Sequence, residues 1–354
     1  MRVNTTMGHP NPAGGSRPKA EQRERAGAIV VDRNRATNKR LARILVSAGY
    51  TVKTYEDVGT PLLPALQGET GVSLWLVVGE AAAASNLLGL CSATLSLRDP
   101  KRRCYAVLYG TDGELDVPML GEQPGVIATL GQRPSSGRLD LESELLGIAC
   151  HLRGQPLLPL QAYLLWGAQA FSTGITNIGG RDAAEARIVK LCTDHLNISR
   201  RVADNIGEVV HELITNAMYD APVDDKGQPR YAHDRTAPIE LPAEDRVTFR
   251  YGTDGIRLCI ETSDRFGRLR RSDLTRSLRQ AAAGQVNKGQ GGAGIGLSLV
   301  YRTSQTLQVD VEPGTRTRVT AVMELDVART AEGPRPGRSL IFPDLTAKSG
   351  RHDL

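Results

Sequence analysis

From residue 28 onward, short apolar runs alternate with stretches whose apolar residues recur every three or four positions. AIVVD (28–32) is apolar at four successive positions, the pattern of a strand buried on both faces of a parallel sheet. Leu41, Ile44, Leu45 and Ala48 then recur at helical spacing, and Gly49 supplies a stop. TVKTY, VSLWLVVG, CYAVLY and GVIATL follow as further strands, and LDLESELLGIACHL closes the series as a helix. This alternation predicts a doubly wound α/β domain over residues 27–154.

The pattern then changes. PLLPLQAYLLWGAQAF (156–171) predicts a helix joining two halves, and NIGEVVHELITNAMYDAP (205–222) sets Ile206, Val209, Val210, Leu213, Ile214 and Ala217 on one helical stripe. A polar loop (221–238), two strands, a Gly/Ala-rich stretch and a last strand, PGTRTRVTAVMEL, complete a second domain over 155–328. Within it, Ile256, Leu258 and Ile260 alternate with Arg257, Cys259 and Glu261, which predicts a strand with one buried face. The remaining 329–354 reads as a tail rich in Gly, Pro and Arg. Its SLIFPDL segment is expected to dock as a short edge strand.

Composition narrows the class. Of 354 residues, 40% are hydrophobic but only 4% aromatic, so aliphatic side chains must fill the cores. No apolar run is long enough to span a bilayer, and residues 1–26, basic and rich in Gly and Pro, lack a secretory apolar segment and read as a disordered tail. Five cysteines without paired or Cys/His spacing argue for reduced thiols in a cytoplasmic protein. The formal charge of +5 is modest; Lys101-Arg102-Arg103 and the arginines of 268–271 read first as solvated surface, which argues against nucleic acid as the partner. A DNA-associated regulator is the weaker reading of those clusters.

The first domain resembles the receiver domain of two-component systems, or more generally a flavodoxin-like domain. Receivers carry a phosphoacceptor Asp after the third strand; here Asp32 ends the first strand, but the third ends in Val78-Gly79-Glu80. Arg33 stands where a second acid is frequent, the Ser/Thr after strand four is missing near Tyr109-Gly110, and Arg133-Pro134 replaces Lys-Pro. The resemblance implies a scaffold without the phosphotransfer chemistry.

Four segments of the second domain carry chemistry. Glu212 and Asn216, four residues apart, project to one side of the helix, where a carboxylate and an amide suit proton abstraction and Mg²⁺ coordination. Asp264 stands at the end of a strand with Gly267 a turn later, a placement that lets a carboxylate accept from an adenine amine beside open backbone. GQGGAGIGLSLV (289–300) sets Gly289, Gly291, Gly292, Gly294 and Gly296 before an apolar helix, so amides and helix dipole favour phosphate. No strand directly precedes these glycines, which argues against a dinucleotide-binding fingerprint. Thr317, near the start of the last strand, is placed to turn its hydroxyl toward the base. Taken singly, each segment is common in proteins without any such role.

Their order resembles the GHKL superfamily (gyrase-type topoisomerases, heat-shock chaperones, histidine kinases, mismatch-repair ATPases), with an α+β sandwich fold. HELITN matches the N box, SDRFG the first Gly box, GGAGIGL the second and GTRT the last strand, and the closest look is to anti-sigma-type serine kinases. The resemblance implies ATP and Mg²⁺ as cofactors, Asn216 as metal ligand, Glu212 as catalytic base and Asp264 as adenine reader. It further implies Gly267 beside the base, Gly291, Gly292, Gly294 and Gly296 along the phosphates, and Thr317 near the adenine. Residues 268–289 would form a lid, with Leu269, Leu274 and Leu278 as apolar points and Lys288 clamping the γ-phosphate. Phe266 departs from the family's Asp-x-Gly. His151, His195 and His211 lack the context of a phosphorylated histidine, which argues against a self-phosphorylating histidine kinase. Two functions stay open: a protein kinase or slow ATPase acting on a protein regulator, or a non-catalytic module whose ATP/ADP state a partner reads. A homodimer is compatible with either.

Overall fold

The computed structural model describes residues 27–56, 74–79, 104–111, 125–131, 141–282, 296–325 and 337–343. The first half supplies β1 (Gly27–Val31), α1 (Arg35–Ser47), β2 (Thr51–Tyr55), β3 (Leu74–Gly79), β4 (Cys104–Thr111), β5 (Val126–Gly131) and α2 (Leu141–His151). Asn34 starts α1 by accepting the N–H groups of Ala36 and Thr37. The five strands are all parallel, in the order β2-β1-β3-β4-β5, one of the two common doubly wound orders. Ile29 and Val31 of β1 join one core while Ala28 and Val30 join another on the opposite face, which explains the unbroken apolar run. β3 ends at Gly79 and β4 continues to Thr111, two residues past Tyr109.

The second half adds β6 (Ala170–Ile175), α3 (Ile178–Lys190), α4 (Arg200–Thr215), β7 (Val247–Thr253) and β8 (Arg257–Asp264), followed by α5 (Arg271–Ala282), α6 (Gly296–Thr303), β9 (Thr306–Glu312), β10 (Arg316–Glu324) and β11 (Ser339–Ile341). The order β9-β10-β8-β7-β6 is antiparallel throughout. The apolar stripe of α4 packs against β8, and Leu274 and Leu278 of α5 and Val300 of α6 join the same core.

Three sequence expectations are corrected. Residues 156–171 form no joining helix: Pro156 and Pro159 break the helical hydrogen-bond pattern, leaving a single 3₁₀ turn, Leu160–Tyr163, before β6. Leu160, Tyr163 and Leu164 instead cover the far face of the sheet, packing on Cys259 and Val322. That cover is why β8 is buried on both faces rather than one. Arg257 donates to the Tyr163 carbonyl (3.1 Å), and buried Glu261 is held by Arg250 and Thr320 (both 3.0 Å).

The third correction concerns SLIFPDL. Its strand β11 is internal, antiparallel to β5 (Leu340 opposite Thr129) and parallel to β9 (Ser339 opposite Thr306). One eleven-stranded sheet therefore runs through both halves. Polar bonds fix the junction. Fully buried Glu144 of α2 accepts from the hydroxyls of Thr306 and Ser339, each at 2.6 Å. Arg271 of α5 donates to the carbonyls of Val126 (2.7 Å) and Phe342 (2.9 Å).

Candidate functional site

Those of the residues singled out in the sequence that are described, Glu212, Asn216, Asp264, Gly267, Gly296 and Thr317, fall into two clusters beside β8. In the first, Glu212 lies in the last turn of α4 and Asn216, directly after that helix, opens a π-helical turn that runs to Asp220, a distortion frequent at functional sites. α4 and this wider turn both lie against β8. Gly296, the first residue of α6, faces the Glu212 carboxylate so closely that a Cβ on it would fall 1.9 Å from Oε2. Any larger residue there would require the Glu212 side chain to move aside. Oε2 of Glu212 is buried with no hydrogen-bond partner among the described residues. Burial pushes the Glu212 carboxyl up from its ordinary range, against the lowering pull of Arg235 and His211. A carboxylate raised in this way is a stronger base than an ordinary one.

The second cluster stands at the C-terminal end of β8. Asp264 is 7% exposed, and its Oδ1 accepts the N–H groups of Phe266 (2.8 Å) and Gly267 (3.3 Å). Thr317 stands directly opposite in the β8–β10 ladder; its hydroxyl helps to stabilise charge on Asp264 but, among the described residues, makes no hydrogen bond of full geometry. Burial dominates here too, raising the Asp264 carboxyl although the two N–H groups pull it down. Gly267 has φ +62°, and a Cβ on it would meet the Glu312 carbonyl oxygen at 2.0 Å. Its requirement for glycine thus comes from the β9–β10 turn packed against it. Phe266, in the position where the GHKL pattern has glycine, lies beside the guanidinium groups of Arg230 (5.6 Å) and Arg265 (6.0 Å), and both arginines pair with Asp245.

Lys288, Gly291, Gly292 and Gly294 lie outside the described residues. Of the expected lid, 271–282 is the helix α5, held down by buried Leu274 and Leu278.

Two residues of the first cluster escaped the sequence reading. Asp220 continues the spacing of Glu212 and Asn216 by one more step of four. Arg235, from the polar loop, has its Nε donating to Asp220 Oδ1 (3.1 Å), while its Nη2 donates to Asp220 Oδ2 and to Asn216 Oδ1 (3.2 Å). Extending the four-residue period would have found Asp220; nothing in the loop sequence marks Arg235. The two clusters fit the two expected cofactors differently. A buried carboxylate beside an unpartnered hydroxyl suits the exocyclic amine of an adenine. Magnesium does not fit the side chains as they stand, because the amide oxygen that would hold it already accepts from a cation.

No family model matches the chain, and no curated protein matches it. Among solved structures, the SiaB–SiaC complex from Pseudomonas aeruginosa is similar at 17% identity and a TM-score of 0.30, over 44% of this chain and 88% of that one. The regulatory domain of CsgD, a master biofilm regulator, is similar at 13% identity and a TM-score of 0.26, over 38% of this chain and 94% of that one. Among the described residues no helix is long and apolar enough to cross a membrane.

Proposed function

We propose that the second half binds ATP in the manner of GHKL proteins and that the chain is a signalling regulator acting on a protein partner, as anti-sigma-type kinases do. The observation that carries this reading is the meeting of Glu212 with the first residue of α6, which brings the candidate base to the start of the helix that follows the glycine-rich segment. In this reading Asp264 accepts a hydrogen bond from the adenine amine with Thr317 beside it. Amides at the start of α6 face phosphate, and Glu212 takes the proton of the attacking hydroxyl or water. A second reading, nucleotide sensing without transfer, is favoured by the hold of Arg235 on Asn216. Both share the adenine contact.

Calorimetric titration of the full chain with ATP, ADP and GTP tests that contact. ATP and ADP should bind far more tightly than GTP, whose carbonyl replaces the adenine amine and would face a carboxylate. Equal affinity for ATP and GTP overturns the proposal.

A further inference from the structure

We infer that Arg235 takes the place of a metal ion against Asn216, so that nucleotide phosphates in this site are neutralised by a resident guanidinium and binding does not depend on magnesium. The inference rests on the ATP reading above and concerns how that site handles phosphate charge.

Glu212, Asn216 and Asp220 stand at successive steps of four along α4 and its π-helical turn, and Arg235 lies against that stripe. Its side chain is only 11% exposed, and its fork spans both oxygens of Asp220 while one amino group also reaches the Asn216 oxygen. The loop around it is fixed on both sides. Asp234 accepts from Thr236 N (2.9 Å), Thr236 Oγ1 (2.6 Å) and Ala237 N (3.2 Å), and the Tyr219 hydroxyl donates to the Ala237 carbonyl (2.7 Å). Arg235 is therefore pre-positioned rather than a free surface arginine.

The chemistry of the two cations makes them alternatives. Magnesium needs near-ideal octahedral oxygen ligands at about 2.0–2.1 Å and keeps several waters, and a guanidinium donating to the same amide oxygen, held there by Asp220, competes with it for that ligand. A guanidinium supplies fixed charge and planar donors matched to phosphate. Nε and Nη2 of Arg235 are engaged, whereas Nη1 donates to nothing among the described residues. Nδ2 of Asn216, buried without a partner among the described residues, follows from the same arrangement: the amide has turned its oxygen to Arg235.

The experiment is calorimetric titration of the full-length chain with ATP, in EDTA and in saturating magnesium, for wild type, Arg235→Met and Arg235→Lys. Wild type should bind with affinities equal within about threefold in the two conditions. Arg235→Met should lose about 10- to 100-fold in EDTA, the loss expected for a charge-assisted hydrogen bond, and recover part of it with magnesium, while Arg235→Lys should keep an intermediate affinity in EDTA. Wild type that binds ATP only with magnesium overturns the inference and leaves the ATP reading intact. Wild type that binds ATP in neither condition overturns both. A loss in Arg235→Met of equal size with and without magnesium marks Arg235 as a structural strut and also overturns the inference. Should the methionine variant fail to fold, the wild-type comparison decides alone.

Discussion

Asp264→Asn should separate ligand recognition from stability, because the two depend on opposite properties of the same carboxylate. An amide oxygen can still accept the N–H groups of Phe266 and Gly267, so the turn after β8 should persist. What is lost is the ionised acceptor for the adenine amine, a contact of about 1.5–3 kcal/mol, or roughly 10- to 150-fold in ATP affinity. Without nucleotide the effect should run the other way. Burial raises the Asp264 carboxyl above its unfolded value of about 3.9, so the native state holds that proton more tightly than the unfolded chain. Stability contributed by this group is then present below the unfolded pKa, falls as pH rises through the folded one, and stays lower at neutral pH. A neutral isostere removes that penalty. Calorimetry with ATP, paired with thermal unfolding of the free protein at acid and neutral pH, should show weaker ATP binding, an unchanged or higher melting temperature at neutral pH, and a flatter pH dependence. An unchanged ATP affinity together with a lower melting temperature would refute the reasoning, since Asp264 would then be a turn cap and nothing more.

Glu212→Gln should lower phosphate release or transfer by about 10²–10⁴-fold while leaving ATP affinity within a few-fold, because the group acts on the attacking oxygen and not on the base; phosphate release measured beside calorimetry checks this, and a parallel loss of binding contradicts it. Truncation after Pro336 should expose the paired edges of β5 and β9 and leave Glu144 without Ser339, producing self-association. Light scattering that shows an unassociated chain with unchanged melting would count against the internal role of β11.

Much of the first half was legible because both faces of β1 and β5 are covered, and such strands write themselves as continuous apolar runs. The helix of Glu212 was equally plain, since its stripe meets a single core. The joining segment misled for a physical reason: Leu157, Leu160, Tyr163 and Leu164 are spaced like a helix but belong to an irregular, proline-broken chain that buries Leu157 in the core of the first half and the other three on the back of β8. β6 carries mostly exposed side chains, Phe171 among them, so its pairing with β7 leaves no alternation to read. Arg235 was invisible for a related reason. Loop residues reach their partners through the path of the chain, and only Asp220, which shares a helix with Glu212 and Asn216, left a spacing.

The placement of β11 also bears on how the two halves communicate. Domains that close on a ligand turn about a few residues of loop. Here the connection is a ladder of backbone hydrogen bonds from β5 through β11 to β9, clamped by Glu144 and Arg271. A girder of this kind resists rotation, because turning one half against the other would shear the register of every strand at the join. It can still twist, as sheets do. Arg271, which bonds the Val126 and Phe342 carbonyls, ties α5 to that same join, so the helix must follow any twist of the sheet there.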